Sequence, residues 1–450
     1  MRIHLIAVGG SAMHNMAIAL HKKGYQVTGS DDEVFEPSKS RLNKHGLLPE
    51  TMGWNPDVIS SDIDVVILGM HARINNPELL KAQEIGLKIY SYPEYIYEQS
   101  KDKKRVVIGG SHGKTSMTAM VLHVLQDEKI DFDYLVGAQL DGFDTMVKLT
   151  KEAKVIILEG DEYLSSPIDL RPKFHLYYPH IAVISGIAWD HINVFPTFDN
   201  YIDQFQIFAD KVDVNGTLIY YNGDENIVKI GESFKGKQIP YKAHENRNDD
   251  GITVLLDGDV EYPIEVFGDH NLQNLNAALH ICEGLEVTKE AFYKSIQTFP
   301  GAAKRLELVG KNDTTSIYKD FAHSPSKLKA TSSAMKIQFE KRQLVACMEL
   351  HTFSSLNEEF LAQYAGTMDL PDEAYVYFSP KAIEHKKLKP ITVEQVHKAF
   401  NRSDLKVFTD SYELMKEIRS KNWNKTNLLL MSSGNFNGVD FSELAEDILK

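Results

Sequence analysis

The segment Val106-Val107-Ile108-Gly109-Gly110-Ser111-His112-Gly113-Lys114-Thr115-Ser116 constrains this chain more than any other. Its β-branched run reads as a buried strand, and Met117, Met120, Val121, Val124 and Leu125 recur at helical spacing behind it, so the glycines join a strand to a helix N-terminus. Such a turn is an anion site. Gly110 and Gly113 allow backbone N–H groups to face a polyphosphate, the helix dipole favours its charge, Lys114 can reach terminal phosphates, and Thr115 offers a hydroxyl to Mg²⁺. The longer eight-residue phosphate-loop pattern is not met, because Ile108 stands where its first glycine would fall. The segment predicts a chain that spends or senses a nucleoside triphosphate.

At 450 residues the chain exceeds one hydrophobic core, and about three domains are expected. A hydrophobic content of 43% and the absence of low-complexity runs predict a folded protein. A net charge of −14 argues against a nucleic-acid partner, whose binding rests on Lys and Arg neutralising phosphates. Cys282 and Cys347 alone give no disulfide framework, and the apolar run Ile3 to Val8 is too short for a signal segment or a span, so a cytoplasmic, membrane-free protein is expected.

Arg2 to Val8 reads as a strand, Gly9-Gly10 as a tight turn, Ala12 to Lys23 as a helix and Tyr25 to Gly29 as a second strand, the opening of a Rossmann-like unit. Met13, His14 and Asn15 stand where the dinucleotide fingerprint wants a glycine, which disfavours a nicotinamide dehydrogenase. The polar link Ser100 to Lys104 marks a first boundary and Phe299-Pro300-Gly301 a second. The reading is therefore α/β throughout: a Rossmann-like domain over 1–104, a central phosphate-loop mononucleotide-binding domain over 105–300, and a Rossmann-like C-terminal domain over 301–450.

Leu158-Glu159-Gly160-Asp161-Glu162 places carboxylates after an apolar strand, where a parallel sheet presents catalytic groups, so Glu159 or Glu162 is a candidate Mg²⁺ ligand. Asp190-His191 follows the next strand. Asn271 and Asn274 bring amides that can pair with an adenine edge, although Asn271 is equally a simple helix cap. Arg305 and Asp320 stand near strand ends further on.

The order of these motifs resembles the Mur ligase family over essentially the whole chain: G-S-H-G-K-T at 110–115, E-x-D-E at 159–162, D-H at 190–191, G-x-H-N-x-x-N at 268–274, K-R-L-E at 304–307 and D-F-A-H-S-P at 320–325. The resemblance implies an ATP- and Mg²⁺-dependent ligase that joins an amino acid or peptide to UDP-N-acetylmuramate through an acyl phosphate. It implies Gly110, Ser111, His112, Gly113, Lys114, Thr115 and Ser116 around the phosphates, and Thr115, Glu159 and His191 as metal residues. His270, Asn271 and Asn274 would line the adenine pocket, Arg305 approach the γ-phosphate and Asp320 the ribose. Gly9, Gly10, Ser11, Ser30 and Asp31, with His71 and Asn76 nearby, would hold the UDP-sugar, and His323 would belong to the amine site.

Some members carry a modified lysine on the helix after the D-H motif, whereas Asn200 to Gln206 contains none. That looks like the branch using unmodified UDP-N-acetylmuramate. Within it, Gly53-Trp54-Asn55-Pro56, Tyr90-Ser91-Tyr92-Pro93 and the D-F-A-H stretch look more like ligation of the tripeptide L-alanyl-γ-D-glutamyl-meso-diaminopimelate than of L-alanine. L-alanine ligation is the alternative, and a catalytically silent nucleotide-binding regulator a further one. His14-Asn15 and Ser324, where a second histidine usually follows His323, depart from the family pattern.

Overall fold

The computed structural model describes residues 1–140, 142–189, 194–301 and 305–450. Two compact units emerge, Met1–His244 with Gln273–Ile296, and Glu245–Leu272 with Gln297–Lys450.

The first unit holds two sheets. A four-stranded parallel sheet runs in the order Gln26–Ser30, Arg2–Ile6, Val65–Leu68, Lys88–Ser91. Its strands form because Ile3, Leu5, Val66 and Ile67 are β-branched or branched residues with essentially no exposure, the composition of a sheet covered on both faces. Helix Ser11–Lys22 follows the first strand and buries every residue from Met13 to Leu20. The second sheet has seven strands in the order Lys237–Tyr241, Thr217–Tyr221, Ile181–Ile184, Lys104–Gly109, Val155–Gly160, Phe132–Leu135, Val147–Lys148, of which only the last pairs antiparallel. Strand Lys104–Gly109 is central, and the phosphate-loop turn leaves from its carboxyl end. One apolar cluster runs from Ile3, Leu5 and Met16 through Val107 and Leu158 to Phe205, which makes both sheets parts of one unit. Burying each such side chain contributes about 1.5–3 kcal/mol.

The second unit contains a three-stranded antiparallel sheet, Asn246–Asp249, Ile252–Asp257 and Val260–Ile264, whose hairpin falls at the Asp257-Gly258 turn. Its larger sheet runs Glu307–Lys311, Ser316–Asp320, Thr426–Met431, Gln343–Leu350, Glu373–Phe378, Lys406–Phe408, parallel except for the first strand. Along the strand Gln343–Leu350, Leu344, Ala346 and Met348 enter one core while Val345 and Cys347 enter another, the period-two alternation of a strand buried on both faces. Residues Glu245–Leu272 group with this unit. Among the described residues no helix is long and apolar enough to cross a membrane, and both cysteines are buried and unpaired.

Candidate active site

The turn after strand Lys104–Gly109 is built so that only glycine fits at two positions. Gly110 has φ +129° and a Cβ there would lie 2.1 Å from Ser185 Oγ; Gly113 has φ +80° and a Cβ would lie 2.2 Å from Asn274 Oδ1. The neighbouring strand end holds the loop in place: Ser111 N–H donates to the Gly186 carbonyl at 2.9 Å, Ala188 N–H to Ser111 Oγ at 2.9 Å, and Ser185 Oγ to the His112 carbonyl at 2.5 Å. Helix Lys114–Asp127 then starts with no side-chain cap and with Ser116 buried in its first turn, so its N-terminus keeps positive dipole character.

The adjacent strand Val155–Gly160 pairs in register with the loop strand, Gly109 opposite Gly160, which brings the carboxylates after it to the level of the loop. The structure separates the two candidate glutamates. Glu162 Oε2 accepts from Lys114 Nζ at 2.9 Å, while Lys114 also donates to the Gly110 carbonyl. Glu159 Oε2 accepts from the Gly137 amide at 2.8 Å, and its Oε1 is buried with no hydrogen-bond partner. Burial pushes the Glu159 carboxyl up; the Thr115 hydroxyl, the Gly137 amide and Lys114 oppose this. An orphaned carboxylate oxygen beside a threonine hydroxyl is a hard, all-oxygen donor pair that suits Mg²⁺. Burial would also raise Asp161, but Lys173, at 2.5 Å, outweighs it and holds that carboxyl low. No group of three or more His, Cys, Asp or Glu side chains placed to hold a metal occurs among the described residues. His191 lies outside the described residues, as do Asp190 and Lys304.

Asn274 packs its carboxamide against Gly113 of the loop. In the second unit, Asn271 donates to the Phe267 carbonyl at 2.9 Å, and it lines a cavity of about 390 Å³ with Arg305, Phe267, Tyr318 and Phe339. Arg305 stands 5.2 Å above the Phe321 ring. Asp320 Oδ2 accepts from the Leu306 amide at 2.6 Å, and burial raises its carboxyl against the pull of that amide and of Arg305. His270 is exposed beside Gly268. His323 Nδ1 donates to the Phe321 carbonyl at 2.8 Å, and the His323 carbonyl accepts from Tyr364 at 2.6 Å. Burial lowers its pKa.

At the first turn the Gly9 amide donates to Asp31 Oδ2 at 2.6 Å, and Gly10 caps the helix beside an exposed His71. Burial raises the Asp31 carboxyl to about 6, opposed by the Gly9 amide. Ser30 Oγ donates to buried Glu78, and Asn76 accepts from the Glu78 and Leu79 amides at 2.9 and 3.1 Å as the cap of helix Pro77–Glu84. Ser11 is exposed at the first position of its helix.

His14 and Asn15 turn out to be interior residues of that helix. His14 Nδ1 bonds the Gly10 carbonyl and Ser38 Oγ; Asn15 Nδ2 donates to the Ser11 carbonyl at 2.8 Å, and Asn15 Oδ1 accepts from the Met146 amide at 2.9 Å. Their departure from small residues is a packing solution that ties the first helix to the edge of the seven-stranded sheet. Sequence reasoning missed Tyr201, whose buried phenol donates to Glu162 Oε1 at 3.2 Å. Its only signal was the four-residue spacing to Phe205 on an apolar helix face.

Residues 108–282 match the model of the Mur ligase middle domain, and residues 2–104 the model described as Mur ligase family, catalytic domain. A UDP-N-acetylmuramate–L-alanine ligase from a Sulfurihydrogenibium species is 31% identical over 380 residues, covering 82% of this chain and 81% of the relative. The chain belongs to the Mur ligase family. It is accordingly an ATP-dependent ligase that forms amide bonds in peptidoglycan synthesis. Its fold is similar to the crystal structure of UDP-N-acetylmuramate-alanine ligase from Thermotoga maritima, with a TM-score of 0.68 at 20% identity, covering 100% of this chain and 98% of that one. The murein peptide ligase from Psychrobacter arcticus is similar at a TM-score of 0.62 and 22% identity, with the same coverage. The architecture is the α/β arrangement of N-terminal, middle and C-terminal domains expected from the sequence.

Proposed function

We propose that this Mur ligase joins the tripeptide L-alanyl-γ-D-glutamyl-meso-diaminopimelate to UDP-N-acetylmuramate, with 1–104 serving the UDP-sugar, 105–300 the nucleotide and 301–450 the amine. The observation that carries the choice of amine is the spread of polar groups over three adjacent strand ends of the second unit. His323 follows strand Ser316–Asp320, Ser433 follows Thr426–Met431, and His351 follows Gln343–Leu350, with the second of these strands lying between the other two. Neighbouring strands stand about 4.8 Å apart, so the outer two are separated by roughly 10 Å. That matches the length of about three extended residues and exceeds free alanine. Buried Glu349 fixes the middle of the row, accepting from Ser432 Oγ and from the Phe436 amide at 2.9 Å. Lys386, 4.6 Å from the Phe353 ring centroid, adds a cation for a peptide carboxylate.

A carboxylate cannot be attacked by an amine until one of its oxygens becomes a leaving group. The γ-phosphoryl of ATP therefore passes to the lactyl carboxylate of UDP-N-acetylmuramate, and the amine attacks the resulting acyl phosphate and expels phosphate. Lys114 and the helix N-terminus behind Gly110–Gly113 would meet the phosphate charge. Thr115 and Glu159 would hold Mg²⁺, which would supply neutralisation of phosphate charge. In the same reading Asn271 and Asn274 contact the base, Asp320 the ribose and Arg305 the γ-phosphate, while Gly9, Gly10, Ser11 and Asp31 hold the UDP moiety. His323 faces the amine as a neutral imidazole, consistent with the burial that lowers its pKa.

The similarity to L-alanine ligases supports the second reading, free L-alanine as amine. Ligation with matched ATP and UDP-N-acetylmuramate decides between them. Tripeptide is expected to exceed L-alanine on the order of a hundredfold in kcat/KM, since several added charged contacts discriminate by a few kcal/mol. Equal or better use of L-alanine overturns the tripeptide reading and leaves the phosphoryl chemistry unchanged.

A further inference from the structure

Lys114 opens helix Lys114–Asp127 directly behind the glycine loop, and its ammonium has a buried anionic partner. Glu162 is 3% exposed and pairs with Lys114 Nζ at 2.9 Å. Its other oxygen accepts a hydrogen bond from the phenol of Tyr201, which has no exposure at all and is wedged between Phe195 and Phe205 at centroid distances of 5.4 and 5.3 Å. Tyr201 sits on helix Phe198–Asp210, whose burial of Tyr201, Phe205, Phe208 and Ala209 anchors that phenol rigidly. We propose that Glu162 is the resident counter-ion of the phosphate-loop lysine, and that Tyr201 is the positioning residue that sets how tightly the counter-ion holds it. The inference rests on the reading that Lys114 meets nucleotide phosphates.

Nucleotide binding is then an exchange in which the ammonium leaves a carboxylate for a phosphate. Only the fraction of molecules with Lys114 released is competent, so the apparent dissociation constant is raised by that fraction. The two side chains act with opposite signs. Removing the Glu162 charge removes the competitor and leaves a cation seeking an anion. Removing the Tyr201 hydroxyl takes a donor from a buried carboxylate, which then depends more on Lys114 and holds it harder. The effect of Tyr201 on the nucleotide thus runs through Glu162, to which its phenol donates. A role for Glu162 in metal binding would have the reverse consequence, since its loss would loosen the metal–nucleotide complex alone.

The test is calorimetric titration of the full-length protein with ADP, with and without Mg²⁺, for the parent, Glu162→Gln, Tyr201→Phe, the double variant and Lys114→Ala. Glu162→Gln is expected to tighten ADP binding on the order of tenfold in both conditions, the release of one charge-assisted contact. Tyr201→Phe, which preserves the ring packing, is expected to weaken it about two- to fivefold, and to have no effect in the Glu162→Gln background. Unchanged or weaker ADP binding by folded Glu162→Gln overturns the proposal, as does an effect of Tyr201→Phe that persists without the Glu162 charge. If Glu162→Gln does not fold, Tyr201→Phe decides: weaker binding supports the exchange and unchanged or tighter binding overturns it. Lys114→Ala separates the two layers. Parent-like ADP binding by that variant defeats the reading of Lys114 itself, whereas its loss of binding beside an unresponsive Glu162→Gln defeats only the counter-ion.

Discussion

Two glycine turns in the first unit follow the same plan and end in opposite electrostatics. Both leave the carboxyl end of a buried parallel strand and open a helix, one at Gly9-Gly10 and the other at Gly110–Gly113. At the first, the loop amide of Gly9 is taken by the Asp31 carboxylate, and no lysine follows. At the second, Lys114 follows at once, Glu162 pairs with its ammonium rather than with a loop amide, and Glu159 accepts from Gly137 outside the loop. A turn whose amide is taken by its own aspartate suits a hydroxyl-rich ligand group; a turn that sets a lysine at a helix N-terminus suits a transferring phosphoryl group. On the proposed function, the first turn serves binding and the second the chemistry.

The largest effect expected from this contrast is on Lys114. Lys114→Ala should lower kcat at least a hundredfold, and nearer a thousandfold, because it removes a group aimed at developing charge. Its thermal melt should stay close to the parent's, and near-normal turnover in a folded variant would erase the distinction between the turns. Next comes Glu159. Glu159→Gln should raise the Mg²⁺ concentration for half-maximal activity about tenfold or more, since it alters a ligand with an unsatisfied oxygen. Overlaid Mg²⁺ titrations would return that carboxylate to a structural role.

Asp31 probes the other turn. Asp31→Asn should raise KM for UDP-N-acetylmuramate several-fold while leaving kcat near that of the parent, the pattern of lost ground-state binding. It also has a pH signature. Burial raises the folded Asp31 carboxyl to about 6, against about 3.9 unfolded, so the folded state binds this proton preferentially and the contribution of Asp31 to stability rises as pH falls from about 7 toward 4. Asp31→Asn lacks that dependence, so its advantage in Tm should be greatest near pH 7–8 and vanish near pH 4. The smallest effect concerns the tie between the sheets. Asn15→Ala leaves the buried Met146 amide without its acceptor and should cost about 1–3 kcal/mol in chemical denaturation, with kcat unaltered.

What the sequence disclosed follows from how local each signal was. The strands around Val106, Ile156 and Ala182 are continuous apolar runs, and they form as expected because a parallel sheet covered on both faces demands such runs. The strand Phe132–Leu135 escaped because Asp133 interrupts it. That aspartate is buried and paired with Lys103 at 2.9 Å, a partner thirty residues away in the chain that no local pattern reveals. The phosphate loop was legible because its glycines, lysine and threonine are contiguous. The split between Glu159 and Glu162 was not, since it depends on the register of two parallel strands and on a phenol from a later helix. Asn76, expected near the UDP-sugar, uses its oxygen as a helix cap, which its place before Pro77 already permitted.

The division of labour between the turns is tested most directly by trapping the acyl phosphate with hydroxylamine, in the presence of ATP, Mg²⁺ and UDP-N-acetylmuramate but without the amine substrate. The parent should yield the muramyl hydroxamate, Lys114→Ala essentially none, and Asp31→Asn the parent level once UDP-N-acetylmuramate is saturating. Parent-level hydroxamate from folded Lys114→Ala, or a deficit in Asp31→Asn that saturation does not repair, would contradict the account.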